Sequence, residues 1–179
     1  MSVTVAEEGN RRVGGPTVSE VGQSVLDVLS WFGRSSEWSG DGAKCTKADF
    51  QRLEKTMDME LPQSLKALLS EADGGLWFMD KLSFTTQQIA ETYADNEASR
   101  LWKGSYLPFA GDDSTLLVVD TAAGDAVHEW DTDEGLGDRL ADSLGAYLES
   151  YRDQLLSGQY EYLDGCGVIE KVGASKSKK

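Results

Sequence analysis

The chain has 179 residues, 31 of them acidic and 17 basic, with a formal net charge of -14, one histidine and two cysteines. That length suits one domain plus extensions, with a core that needs no staples. The charge argues against nucleic acid or an anionic membrane surface as partner, and the isolated Cys45 and Cys166 suggest neither a disulfide framework nor a zinc site.

The four lysines from Lys171 onward offset four charges, so residues 1–170 carry -18. Such a body favours partners with basic surfaces, or serves only to keep the protein in solution. No run approaches a membrane span, and the opening Met1–Glu8 lacks the basic start and apolar block of a secretion signal, so a cytoplasmic protein is expected. Residues 1–16 are polar and glycine-rich and read as a flexible arm.

From Ser19 to Phe32, Val18, Val21, Val25, Val28, Leu29 and Phe32 trace a helical stripe, with Ser19 as the expected cap and Gly33 as the stop. Residues 34–44 read as a linker, with Trp38 docked on the domain. Thr46 and Asp49 make a capping-box signal for a helix bearing Phe50, Leu53 and Met57. A proline at the first helical position then starts a second helix at Pro62, with Leu65, Leu68, Leu69 and Ala72 on one face. It is expected to stop at Asp73-Gly74-Gly75 through a left-handed glycine and pass into a buried strand at Leu76–Met79. These two angled helices raise helix-turn-helix recognition of DNA, which the lone cation of the second, Lys66, argues against.

Leu82 and Phe84 alternate as in a strand, and Thr85 with Gln88 caps a helix carrying Ile89 and Tyr93 that ends near Asn96. Tyr106–Ala110, interrupted by Pro108, suits an edge strand. Leu116–Val119 forms a continuous apolar run that implies burial on both faces in mid-sheet, and Ala126–Trp130 returns as its hairpin partner. Asp131 to Gly137 reads as an acidic loop. Asp138 is the expected cap of a last helix striped by Leu140, Ala141, Leu144, Tyr147, Leu148, Tyr151 and Leu155, which Gly158 ends.

The succession of these elements, with Leu61-Pro62, Asp73-Gly74-Gly75, Leu107-Pro108-Phe109-Ala110, Asp112-Asp113, the strand Leu116–Asp120, Val127-His128-Glu129-Trp130 and Ala141-Asp142-Ser143-Leu144, resembles the SUKH superfamily, or Smi/Knr domain. The resemblance covers about residues 44–157. It implies an α+β fold, a mainly antiparallel central sheet with helices packed around it, and a non-enzymatic role binding other proteins. That family includes a fungal cell-wall-synthesis regulator, bacterial toxin-immunity proteins and a non-catalytic subunit of a tubulin polyglutamylase. The N-terminal helix and linker, residues 17–43, and the extension 158–179 lie outside the pattern.

The residues also argue against catalysis. His128 stands alone in a strand, with no second histidine for a metal pair or base relay. Asp131-Thr132-Asp133-Glu134-Gly135 fails the calcium-loop spacing, because the glycine comes one position early and Asp138 replaces the closing glutamate. No phosphate loop, dinucleotide fingerprint or nucleophile elbow is present, so no cofactor, metal or catalytic residue is expected. A scaffold or interaction subunit is the leading expectation, an immunity-type inhibitor the alternative, and a small enzyme using paired carboxylates the third.

Tryptophans beside acidic loops make candidate protein contacts, namely Asp73, Gly74, Gly75 and Trp77, then Trp102, then Trp130, Asp131 and Asp133. Each tryptophan has a plainer use as core. The tail lysines Lys176, Lys178 and Lys179 could lie on an acidic surface such as microtubule tails, which would place the chain in a cytoskeletal or ciliary assembly; a solvated terminus is the plainer alternative.

Overall fold

The structure is a computed structural model that describes residues 15–40 and 42–172. Nearly all of the N-terminal arm and the lysines Lys176, Lys178 and Lys179 lie outside the described residues. The described part is an α+β fold with five helices and a six-stranded antiparallel sheet in which every strand pairs with its neighbours in sequence.

Helix α1 spans Val18–Gly33 and starts two residues earlier than a Ser19 cap implies: Thr17 is the cap, its hydroxyl accepting from the Glu20 N–H while the Glu20 carboxylate accepts from the Thr17 N–H. Val21, Val25, Val28 and Phe32 enter the core shared by the whole fold, whereas Val18 is exposed. Helix α2 (Lys47–Met57) has the expected Thr46–Asp49 box and buries Phe50, Leu53 and Met57. Helix α3 (Gln63–Glu71) begins after Pro62, which is the cap and not the first helical residue. It ends through an extended Ala72; the left-handed Gly74 and Gly75 (φ 79° and 80°) come afterwards and turn the chain instead of closing the helix.

Strand β1 (Trp77–Phe78) and strand β2 (Lys81–Ser83) form a tight ribbon turned by Met79 at φ 56°. The phase of β2 is opposite to the one its leucine suggests: Ser83 is buried, its hydroxyl accepting from the Leu76 N–H at 2.9 Å, and Leu82 is exposed. Helix α4 (Thr86–Asn96) follows the Thr85–Gln88 box and buries Ile89 and Tyr93.

Strand β3 (Tyr106–Gly111) is an inner strand, not an edge. Pro108 is tolerated because the short β2 reaches only Ala110 and Gly111, and the β3–β4 register shifts between Pro108 and Ala110. Strand β4 (Thr115–Asp120) is the mid-sheet strand expected, with Leu116 to Val119 all buried. It pairs in unbroken register with β5 (Ala126–Asp131).

The expected acidic loop of residues 131–137 narrows to the turn at 132–134, where the Asp131 carboxylate accepts from the Asp133 and Glu134 N–H groups, and its last three residues open strand β6 (Gly135–Ala141). Two register shifts against β5 leave β6 a bent edge strand. Leu140 therefore lies exposed in a strand and is not part of the last helix. That helix, α5 (Leu144–Leu156), is capped by the Ser143 hydroxyl, not by Asp138, and buries Leu144, Leu148, Tyr151 and Leu155.

Helix α5 packs on α1, where Gly145 permits the approach: a Cβ there would stand 2.9 Å from Val21 Cγ2. On its sheet side, Tyr147 and Tyr151 meet Phe78 and Phe109. The extension after α5 carries a second antiparallel pair, β7 (Tyr160–Leu163) and β8 (Gly167–Glu170). This hairpin sits at the β1 end of the main sheet, where the Val168 N–H donates to Met79 O at 2.9 Å.

Candidate functional site

The sequence places eight described candidates on the loops at strand ends, and the structure sorts them into three places. Trp102 and Trp130 are core. Trp130 is fully buried, Trp102 is 8 % exposed, and their rings meet edge to face at 4.9 Å, with Tyr93 and Tyr106 completing the cluster. Both indole N–H groups are buried without an acceptor, which makes the cluster a packing device with an unmet polar cost. Asp131 and Asp133 occupy the β5–β6 turn, where the Asp131 carboxylate is engaged by backbone N–H groups.

The remaining four, Asp73, Gly74, Gly75 and Trp77, come together. They line a cleft of about 300 Å³ whose other walls are residues 38–40, Thr85 and Tyr162. Four stretches distant in sequence thus meet: the linker after α1, the segment from the α3–β1 loop into β1, the cap of α4 at Thr85, and the β7 strand.

Each wall is held by the core. The Trp38 ring packs on the buried Phe32 at 5.5 Å, and its Nε1 lies 3.4 Å from Gly75 O. Phe32 also holds Tyr162, ring to ring at 5.6 Å. Trp77 is fixed through its backbone: the Tyr151 hydroxyl donates to Trp77 O at 2.9 Å and accepts from the Met79 N–H at 3.0 Å. Burial drives that tyrosine's pKa far above its ordinary value, so it stays a neutral donor. Gly167, at φ +94°, lets β8 pass; a Cβ there would clash with Met79 O and stand 2.8 Å from Trp77 Cε3.

The floor is backbone. The Asp73 N–H donates to Ala43 O and the Cys45 N–H to Leu69 O, each at 2.9 Å, which stitches the linker to the end of α3. The Asp73 carboxylate accepts from the Thr86 N–H at 3.0 Å and so braces the start of α4. Burial first, then hydrogen bonding to Asp73 and the charges of Asp73 and Asp49, push the Cys45 thiol up to about 12. That thiol is a packing group, not a nucleophile. Burial, the charge of Asp164 and its hydrogen bond, and the charge of Glu37 likewise raise Tyr162, against the pull of the Trp77 side chain.

A second hollow of about 600 Å³ lies between α2 and α3, lined by Phe50, Gln51, Glu54, Lys66 and Ala67 among others. Lys66 Nζ there stands 3.4 Å from Glu54 Oε2, and Lys47 adds a further positive charge to its lining. Sequence reasoning docked Trp38 correctly but did not see it as a wall, and it missed Tyr162. The Tyr160-Glu161-Tyr162 alternation before Asp164-Gly165 was the signal available for the latter.

For chemistry, the described carboxyl pair of note is Asp120 with Asp125. Burial and then the Asp120 charge raise Asp125. The pair sits in the β4–β5 turn, where Asp120 Oδ1 accepts from the Ser105 hydroxyl and the Ala122 N–H. His128, half-buried on β5, has Nδ1 at 3.1 Å from Gly137 O. Among the described residues no group of three or more His, Cys, Asp and Glu could hold a metal ion, and no helix is long and apolar enough to cross a membrane.

No curated protein matches the chain. The family model described as the SMI1/KNR4 family (SUKH-1) matches residues 44–150. It covers the elements from α2 into α5 and leaves out α1, Trp38 and the β7–β8 hairpin. More than half of the chain, including the helix corner and the whole six-stranded sheet, is thereby matched, and the chain belongs to the SMI1/KNR4 family (SUKH-1).

Proposed function

We propose that this chain is a non-enzymatic protein-binding module of that family and that its cleft at Trp38, Asp73–Gly75, Trp77 and Tyr162 is the surface a partner meets. The observation that carries the reading is the cleft's make-up: half-buried aromatic walls held rigidly from behind, in a body of net charge -14. Fixed aromatic side chains with a polar rim are what interaction hot spots are made of, because they offer large contact area at little cost in side-chain freedom. The acidic body favours a basic partner and speeds its encounter.

The test is affinity purification of the full-length protein and of its Trp38→Ala variant from native cells, with co-purifying proteins identified by mass spectrometry. A specific partner held by the natural chain and lost by the variant is expected. A chain that holds no specific partner refutes the reading.

The acidic body also favours an immunity-type role, in which the partner is a toxin whose basic active site is covered. Co-expression with the product of a neighbouring toxin gene would then rescue growth, and the absence of any such gene would count against it. A cytoskeletal or ciliary setting would rest on the lysine tail together with the tubulin polyglutamylase subunit among the family's members. Co-sedimentation with microtubules, with and without residues 171–179, is expected to differ if the tail carries that contact.

A further inference from the structure

The cleft's chemistry narrows what it can recognise. Three of its walls are aromatic, Trp38, Trp77 and Tyr162, and none of its lining residues is cationic. Carboxylates surround it: Asp73 lines it, the Tyr162 hydroxyl donates to Asp164 at 3.3 Å, and Glu37 lies close enough to act on Tyr162. Aromatic faces attract cations through their ring quadrupoles, and nearby carboxylates add to that attraction.

The shape fits one long side chain. The volume of about 300 Å³ lies at the lower bound of the roughly 300–1,000 Å³ range of small-molecule sites. Glycines keep the base of the cleft low: a Cβ on Gly40 would run into the Trp38 ring, and one on Gly74 would stand 2.8 Å from Thr85 Cγ2. The Gly75 carbonyl, already facing Trp38 Nε1, is a further acceptor at the base.

Resting on the protein-binding reading, we infer that the cleft takes one lysine or arginine side chain of the partner, its cationic head held among Trp38, Trp77 and Tyr162 with Glu37, Asp73 and Asp164 around it. Trp38 and Tyr162 lie outside the family match at residues 44–150. The flanks of this chain therefore join the shared domain in setting what is bound, supplying Trp38 and Tyr162 beside Asp73, Gly74, Gly75 and Trp77.

The test is an NMR titration of the full-length protein, reading its tryptophan indole N–H signals against three probes: the Nα-acetyl methylamides of lysine, arginine and norleucine. Saturable shifts of the Trp38 and Trp77 signals are expected with the first two, and about tenfold weaker binding of norleucine. The buried Trp102 and Trp130 signals should stay still and so report an intact core. Trp38→Ala should weaken lysine binding about tenfold, and Glu37→Gln and Asp164→Asn, which remove charge and leave the walls, should each weaken it severalfold.

Equal binding of norleucine, unchanged binding in Trp38→Ala, or no binding of the cationic probes would overturn the inference. Capture from native lysate separates this failure from failure of the broader reading. A partner lost by Trp38→Ala while the cationic probes fail to bind overturns the side-chain inference alone; a partner held equally by the natural chain and Trp38→Ala removes the cleft from both readings and leaves only the protein-binding module; and no partner held by either overturns both.

Discussion

Two groups of aromatic side chains, similar in composition, occupy opposite positions in this molecule. Tyr93, Trp102, Tyr106 and Trp130 close on one another against β3 and β5, and their indole nitrogens are sealed in without partners. Trp38, Trp77 and Tyr162 lean on buried residues from one side and keep the other side at a cleft. The difference lies in what stands behind them. The first group fills space between a helix and a sheet. The second is propped by Phe32 and Tyr151, so that its rings are held in place without being covered.

The comparison predicts a hierarchy of stability costs. Trp130→Ala should cost about 3–5 kcal/mol in urea unfolding, the range for emptying a large core site, while Trp38→Ala should cost about 1–2 kcal/mol for a half-buried ring. Equal costs would erase the distinction between the two groups.

Gly167→Ala should cost about 1–3 kcal/mol, because the new methyl meets both an unsuitable φ and the Met79 backbone. Its signature should be local, with amide exchange quickened at Val168 and Trp77 and the Trp130 indole signal unchanged. Tyr151→Phe removes both hydrogen bonds to the β1–β2 turn and should cost about 1–2 kcal/mol by the same unfolding assay.

The smallest effect concerns the tie between the β1–β2 ribbon and the rest of the sheet. Partial burial would raise the Asp112 carboxyl, but the Ser114 and Thr115 N–H groups and the Lys81 ammonium at 3.1 Å outweigh it and hold it at about 2. A depressed carboxyl stabilises the fold above its unfolded value of roughly 4, and that contribution is lost as pH falls toward 2. Asp112→Asn should therefore flatten the acid limb of the stability profile between about pH 4 and pH 2. A limb of unchanged slope would show that Asp112 has no part in it.

Much of this fold was legible where side-chain chemistry is local. The boxes Thr46–Asp49 and Thr85–Gln88 announce their helices because each signal lies within one turn, and Thr17–Glu20 offered the same signal two residues before the cap assigned from sequence. The uninterrupted Leu116–Val119 run could only belong to a strand covered on both faces. The failures share a cause in tertiary context. Leu140 stands four residues before Leu144, which mimics a helical stripe, yet pairing with β5 claims it for a strand. Pro108 signals an edge, yet the short β2 leaves it room inside the sheet. Tryptophans beside acidic loops could not be divided into core and cleft, since that depended on partners distant in sequence, Tyr151 for Trp77 and Trp102 for Trp130.

The two open sides of the sheet are also treated differently. The β6 side is bent by two register shifts and carries Asp138 and Arg139, devices that discourage edge-to-edge pairing. The β1 side is blocked by the β7–β8 hairpin.

That hairpin sets an order of events during synthesis. Every strand of the main sheet is synthesised before Tyr162 and Gly167, and at about 5–20 residues per second the interval from the end of the family match to the end of β8 is on the order of seconds. For that time the growing chain holds every strand of the main sheet in its sequence but lacks the Tyr162 wall of the cleft. A cleft that takes a partner's side chain would consequently have all its walls only on chains whose translation has passed residue 162.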